Sequence, residues 1–389
     1  LNSADPKKFA KCPLVTGHKG PVLDMKWNPF HDNILATVSE DCYGKVWSLP
    51  NEPFPEDSDA TFTEPAQTLT GHRRKVGVVA WNPVAENVLA TGSQDYTLKV
   101  WDVVTGDAKY NVEGHTNIIQ SLAWNYNGSL MCTHAKDKST RVIDPRQQEI
   151  VHSIQTCAGV KGARAIWMGK HDRIFVVGFG RGSERGYYIL DMKNMSEPLL
   201  HVSLDNSAGQ LIPFYDEDSD VMWLCGKGDG NIRYYEVEHA AADPKKMVWP
   251  CATTFSSNSP LSACAFMPKR GCDVNTNELA KLYKATGSQV QALSFQIPRR
   301  SELFADDIFP DCRSDEAALT ADQWWAGENA EPLTKSLEGG FVAKENTEVT
   351  FEKKEVKTVT DADKIKAYDE LMSRVAYLEA ELAKAKAQS

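Results

Sequence analysis

The stretch that decides the fold runs from Gly71 to Asp102. It opens Gly71-His72-Arg73-Arg74-Lys75-Val76-Gly77-Val78-Val79-Ala80-Trp81-Asn82-Pro83, continues Val88-Leu89-Ala90-Thr91-Gly92-Ser93-Gln94-Asp95, and closes on Val100-Trp101-Asp102. The same order of residues recurs on either side. Gly17-His18 leads through Trp27-Asn28-Pro29, Ile34-Leu35-Ala36-Thr37 and Asp41 to Val46-Trp47. Gly114-His115 leads through Ala123-Trp124-Asn125, Leu130-Met131-Cys132-Thr133 and Asp137 to Ile143-Asp144. From His to the Trp or Ile position the spacing is 29, 29 and 28 residues. Three weaker units follow over 158–194, 201–240 and 251–297, each with short apolar runs of strand type. Within the last, 275–284 reads as a short helical or irregular insertion. Residues 49–66 are acidic and Pro-rich, and they lengthen the first His-to-His distance to 54 against 43 for the second.

Short apolar runs separated by turn residues at a fixed period describe a β-repeat array. The unit resembles the WD repeat, of about 40–45 residues and four strands. The predicted fold is therefore all-β, a WD-repeat β-propeller with about six repeat units, plus a C-terminal α-helical coiled coil. The repeat also gives its polar residues a job. A loop His can bond an Asp in a tight turn, and a strand hydroxyl (Ser39, Ser93, or the nearby Thr37, Thr91) can extend the bond to the Trp N–H. Such groups stabilise only when paired, and so they fix one register. His18, Asp41, Trp47, His72, Asp95, Trp101, His115 and Asp137 are thus read as a structural network, neither catalytic nor metal-binding.

Composition narrows the function classes. The chain has 389 residues, 42% hydrophobic and 25% charged, which is ordinary for globular proteins. Asp and Glu number 53 against 43 Lys and Arg, so bulk charge argues against nucleic-acid binding. No run of about 18 apolar residues and no signal-peptide pattern is present. Nine scattered cysteines without a C-x-x-C pair read as reduced thiols. The triplets Asn127-Gly-Ser129 and Asn194-Met-Ser196 carry no meaning without a secretory signal. No catalytic motif stands out. Gly178-Phe179-Gly180-Arg181-Gly182 lacks the dinucleotide spacing and precedes a strand, and His171-Asp172 reads as a turn. The expectation is a non-enzyme without cofactor or metal.

The propeller is assigned to 1–297, with 298–340 as an extension packed on it. There the adjacent Trp324 and Trp325 stand in a polar stretch and need burial of one face. Residues 341–360 read as a linker or a loose extended segment. Residues 361–389 carry a heptad seam, with Tyr368, Val375 and Leu382 at a and Leu371 and Leu378 at d. Arg374 at g and Glu379 at the next e have the spacing of an interchain ion pair. The seam predicts a homo-oligomer, and β-branched a with Leu at d taken alone favours a dimer.

The chain also resembles the coronin family of WD-repeat actin-binding proteins. The resemblance rests on Pro13–Pro29, Phe214-Tyr215-Asp216, Leu224-Cys225-Gly226-Lys227-Gly228-Asp229, Thr254-Phe255-Ser256-Ser257, Phe266-Met267-Pro268-Lys269-Arg270-Gly271 and Ile297-Pro298-Arg299-Arg300-Ser301. It covers 12–341 strongly and the tail by type. It implies a seven-bladed propeller, so the first blade and the strand closing the last one are expected to be missing, in keeping with a start at Leu1 rather than Met. It also implies that Arg374-Val375-Ala376-Tyr377-Leu378-Glu379 is a trimer motif, with Arg374 pairing Glu379 of a neighbour.

From the resemblance the implied function is an actin-filament-binding scaffold at the cytoplasmic actin cytoskeleton and cell cortex. The propeller would contact F-actin, and the coiled coil would oligomerise and engage the actin-nucleating actin-related-protein complex. Because actin is acidic, the contact candidates are basic: Arg73-Arg74-Lys75, Arg181 and Arg185, Lys269-Arg270, and Arg299-Arg300. The alternative is a generic WD-repeat adaptor in trafficking or signalling.

Overall fold

A computed structural model describes residues 2–3, 13–51, 59–159, 161–251, 254–299, 304–342, 348–352, 372–375 and 378. Contacts divide the chain into two units, Leu1–Lys353 and Lys354–Ser389. The first unit is built of six successive antiparallel sheets. The first sheet has Val22–Trp27 as its inner strand, then Ile34–Ser39, Gly44–Ser48 and Gln67–Leu69. The second runs Val76–Trp81, Val88–Ser93, Leu98–Asp102 and Asp107–Val112. Sheets three and four repeat this from Ile119–Trp124 and Arg164–Trp167. The fifth begins at Leu211–Asp216 and gains Phe255–Ser256 beside its third strand. The sixth holds Ala263–Phe266, Glu278–Ala285 and Val290–Gln296.

The sequence dictates this stacking. In each of the first three sheets the second strand is buried along its whole length, as a strand covered on both faces must be. Apolar side chains from neighbouring sheets meet in the seams. Val46, Leu69 and Trp101 lie between sheets one and two, and Val100, Ile119 and Trp124 between two and three. Cys132, Ala165 and Val176 join three to four, Phe175, Leu211 and Met222 four to five, and Trp223, Leu282 and Phe295 five to six. The inner-strand tryptophans add a polar stitch. Trp81 Nε1 donates to Lys26 O at 2.9 Å, and Trp124 Nε1 donates to Ala80 O at 3.2 Å. Trp27, their counterpart in the first sheet, is 56% exposed, and Val22, Leu23 and Met25 share that open strand.

Two expectations for the sixth sheet are corrected. The strand expected to be missing from its edge is present: Asn2–Ser3 pairs antiparallel with Leu293 and Ser294, so unpaired N–H and C=O groups on that edge meet an extended segment. Residues 275–284 are not an insertion. Short 3-10 turns end at Thr276, and Glu278–Ala285 is a strand whose alternate residues Glu278, Ala280, Leu282 and Lys284 are buried. Two charged residues on the buried face hid the period of two.

Residues 304–342 cross the face formed by the turns between first and second strands. Helix Ala321–Trp325 starts on a capping box between Thr320 and Gln323. It drives Trp324, 0% exposed, against Trp124 at a ring distance of 5.7 Å, and Trp324 Nε1 donates to Gly128 O at 3.0 Å. The linker reading of 341–360 is corrected at 348–352. Val349 and Phe351 pack on the seam of sheets one and two, and the Gln67 amide donates to Glu352 O at 2.9 Å. Alternate apolar residues give this segment a face to bury. No helix among the described residues is long and apolar enough to cross a membrane.

Candidate functional site

The repeat network forms as bonded chains in sheets one and two. His18 Nδ1 lies 2.9 Å from Asp41 Oδ2, and His18 Nε2 lies 2.8 Å from Thr37 Oγ1. Trp47 Nε1 donates to Thr37 Oγ1 at 2.8 Å. A carboxylate only accepts, so neutral His18 carries its proton on Nδ1, and the Thr37 hydroxyl donates to Nε2. The second sheet repeats the chain through His72, Asp95, Thr91 and Trp101 at 3.0, 2.8 and 2.8 Å. The hydroxyls are thus Thr37 and Thr91, whereas Ser39 and Ser93 cap neighbouring backbone groups. Burial pushes the Asp41 and Asp95 carboxyls up. Hydrogen bonds from the histidines and from backbone N–H groups outweigh it, so both stay below the usual carboxylate range.

The third sheet departs from expectation. His115 Nε2 keeps Thr133 Oγ1 at 2.9 Å, but Asp137 is taken by Arg141, whose Nη2 donates at 2.7 Å. His115 Nδ1 is buried without a hydrogen-bond partner. A bidentate guanidinium is the stronger claimant on a carboxylate. Burial and the Arg141 charge hold His115 down at about 4.

His171, Asp220 and His239 also converge, with one ligand atom of each within 4.8 Å of the others. Arg173 Nη1 donates to His239 Nδ1 at 2.9 Å, which puts the proton of neutral His239 on Nε2. That N–H points to Tyr215 Oη at 2.7 Å, and Tyr215 donates to Asp220 at 2.5 Å. His239, Tyr215 and Asp220 thus form a hydrogen-bond relay, while His171 Nε2 beside them is buried without a hydrogen-bond partner. Burial and the stacked His171 ring hold His239 down at about 4.

The loops that carry the His and Asp residues all lie on one face, because inner strands run the same way in every sheet. The loops before each inner strand expose Lys19, Arg73, Arg74 and Lys161, and those between second and third strands expose Lys136, Arg181 and Lys227. The acids there are largely engaged: Asp41 and Asp95 by histidines, Asp137 by Arg141, Asp229 by Arg185 and Glu40 by Lys75. The opposite face carries both signs, with exposed Lys170, Lys193, Lys245 and Lys246 beside its acids. It exposes Asp306, Asp307, Asp311 and Glu316, and burial with Asp216 and Glu217 pushes Asp218 up to about 7.

The predicted basic clusters do not fall together. Arg73 and Arg74 are exposed on the basic face, and Lys75 beside them pairs with Glu40 at 2.6 Å. Arg181 is exposed on the same face. Arg185 is not available to a partner: it is 2% exposed and bonds Asp205 at 2.6 Å and Asp229 at 2.7 Å. Lys269 and Arg270 lie on the opposite face, paired with Asp216 at 2.6 Å and Asp32 at 3.0 Å. Arg299 pairs with Asp307, and Arg300 lies outside the described residues. Sequence reading missed Lys19, Lys136, Lys161 and Lys227. Each stands alone in sequence, and only aligning equivalent loops of the repeat would have gathered them.

The second unit is described at 372–375 and 378, where the chain is helical and Arg374, Val375 and Leu378 are exposed. Tyr368, Leu371, Glu379 and Leu382 lie outside the described residues.

Comparison with known proteins follows this geometry. Residues 11–48, 63–102 and 106–144 match the family described as WD domain, G-beta repeat, and 290–332 match a further type of WD40 repeat. The chain is 43% identical over 382 residues to Coronin-A of Dictyostelium discoideum, covering 97% of this chain and 83% of that one. It is 37% identical to human Coronin-2A over 84% of this chain, and 40% identical to a coronin-like protein of Schizosaccharomyces pombe over 82%. It spans 62% and 52% of those two proteins. The solved WD40 domain of Toxoplasma gondii coronin superposes with a TM-score of 0.78 at 29% identity, covering 83% of this chain and 82% of that one. With six repeat sheets, the loop network that defines the repeat, and this degree of identity along nearly its whole length, the chain belongs to the coronin family.

Proposed function

We propose that this chain is an actin-filament-binding scaffold that uses its basic loop face as the contact. The observation that carries the reading is the gathering of basic side chains on the loop face. A chain of net charge −10 exposes seven basic side chains in loops of one face, where Asp41, Asp95, Asp137 and Asp229 are paired internally and Glu113 is exposed. A positive patch meeting an acidic filament gains on-rate and orientation. Arg73, Arg74 and Arg181 are the central contacts, joined by Lys19, Lys136, Lys161 and Lys227. Such contacts on one propeller are weak, and oligomerisation multiplies them. The tail seam of Tyr368, Leu371, Val375, Leu378 and Leu382, with Arg374 pairing Glu379 of a neighbour, forms a parallel trimer. Three propellers on one stalk raise effective concentration at a filament.

The same tail is free to engage the actin-nucleating complex, which puts the protein at the cytoplasmic actin cortex as a regulator of filament dynamics. Co-sedimentation of the chain with and without 361–389 tests the scheme. Deletion is expected to reduce apparent filament affinity by at least about a hundredfold, the low end of the gain for linked sites. An unchanged affinity overturns the avidity mechanism.

A further inference from the structure

The turn after the second strand of sheet two holds an aromatic residue where the backbone disfavours one. Tyr96 N donates to Ser93 O at 3.2 Å and closes the turn, and Tyr96 itself is left-handed at φ 69°. Hairpins fill this position most readily with glycine or asparagine. Sheets one and three use the same backbone there, with Cys42 at φ 73° and Lys138 at φ 70°. A bulky ring at such a φ is an outlier, and strain of this kind collects at functional sites. The fold recovers only part of the ring in burial, since Tyr96 is 37% exposed.

The strained turn is fixed against the most basic loop of the same face. Arg73 N donates to Asp95 Oδ2 at 2.9 Å, Ser93 Oγ donates to Arg74 O at 3.1 Å, and Gln94 N donates to Lys75 O at 2.9 Å. The exposed Arg73 and Arg74 side chains therefore stand in a set place beside Tyr96. Sheet one repeats the arrangement. Tyr43, also 37% exposed, follows Asp41 in its turn, and Asp41 Oδ2 accepts from the N–H of exposed Lys19 at 2.9 Å. The Glu40–Lys75 pair joins the two loops.

We propose that Tyr96 and Tyr43 are the aromatic anchors of the basic face, and that its partner is an acidic protein surface with apolar hollows that take the two rings. The inference rests on the basic-face reading and adds the contact that charge alone does not supply. Tyrosine and arginine are the residues enriched where binding energy concentrates at interfaces. A tyrosine ring brings a large contact area for few rotatable bonds, and a turn tied at three points holds it in advance of docking. Burial of the rings is insensitive to salt, whereas the attraction of exposed arginines is screened. Rings and charges therefore separate by their salt dependence.

The test is filament co-sedimentation of the whole chain at low and at high salt, paired with urea denaturation. Tyr96→Gly removes the ring and relaxes the left-handed position. Its urea midpoint is expected to stay level or rise, while filament affinity falls at least about tenfold at both salt concentrations. Tyr96→Phe keeps the ring and is expected to bind within about threefold of the parent. Tyr96→Asn, which also suits a left-handed φ, provides a second ring-free variant. Arg73→Glu with Arg74→Glu is expected to lose most at low salt. Parent affinity in both ring-free variants overturns the proposal, and a loss from the charge reversal in the same experiment leaves the basic-face reading standing. A parent chain that does not sediment with filaments overturns both. A lower urea midpoint in both ring-free variants overturns the strain argument. Parent affinity of Tyr43→Ser removes Tyr43 from the anchor pair.

Discussion

Lys75 Nζ lies 2.6 Å from Glu40 Oε2, and this bond divides a run of three basic residues by use. Lys75 joins the loops of sheets one and two, whereas the Arg73 and Arg74 side chains project from the same loop into solvent. The ion pair is partly exposed, so its net worth is small. Lys75→Met is therefore expected to change unfolding free energy by less than about 1 kcal/mol and filament affinity by less than about threefold. Urea denaturation and co-sedimentation check both. A loss as large as that of Arg74→Glu would mean that Lys75 is itself a contact.

The threonine at the centre of each repeat network carries two bonds where a tryptophan is present. Thr91→Val strips the partner from both Trp101 Nε1 and His72 Nε2. At about 1–3 kcal/mol for each buried group left unpaired, the expected loss is about 3 kcal/mol. Thr133→Val strips only His115, because Ile143 stands where the tryptophan would be, and about half that loss is expected. Chemical denaturation of the two variants settles the ranking, and equal losses would refute the shared-hydroxyl account.

Arg185 is a clamp between sheets four and five. Its guanidinium bonds Asp205 and Asp229, and also donates to Gly209 O at 3.1 Å. Arg185→Met leaves Asp229 without its cation, while Asp205 keeps Arg233. Breaking a buried ion pair from one side costs about 3–5 kcal/mol. The variant should unfold at clearly lower urea while a folded fraction still binds filaments. Normal stability combined with lost binding would place Arg185 in the interface instead.

Acid should loosen the propeller before it protonates the carboxylates. His115, His134 and His239 are held at about 4 in the fold, chiefly by burial, against an ordinary value of 6.5. Below pH 6.5 the unfolded chain takes up protons that the native chain refuses. Their stabilisation is therefore full above that pH and falls away as pH drops towards 4. Asp41, Asp95 and Asp137, held below the usual carboxylate range, lose their contribution only at lower pH. A melting temperature that decreases steadily from pH 7 to pH 4.5 is expected, and a flat profile would refute it.

The sequence carried the architecture far and the site less far. Sheets one to three were legible because His, Asp and Trp recur at a fixed spacing, and the later sheets because apolar runs keep the period. The exceptions are charged residues satisfied by distant partners. Lys284 and Glu278 on a buried face disguised a strand as an insertion. Asp137 was assigned to His115, although Arg141 four residues on is its partner. Arg185 read as a contact candidate because its acids are distant in sequence, Asp205 on the next strand and Asp229 in a turn of sheet five. The basic face was invisible because its members are single residues in separate loops, gathered only when the ring of sheets forms.

The most direct test of the basic-face account compares two charge reversals of equal size on opposite faces. Arg73→Glu with Arg74→Glu alters the loop face, and Lys245→Glu with Lys246→Glu alters exposed residues beyond the third strand of sheet five, on the other face. In filament co-sedimentation at low salt, the first pair should weaken binding at least about tenfold, or about 1.4 kcal/mol, and the second less than about twofold. Equal losses from the two pairs, or no loss from the first, would contradict the account.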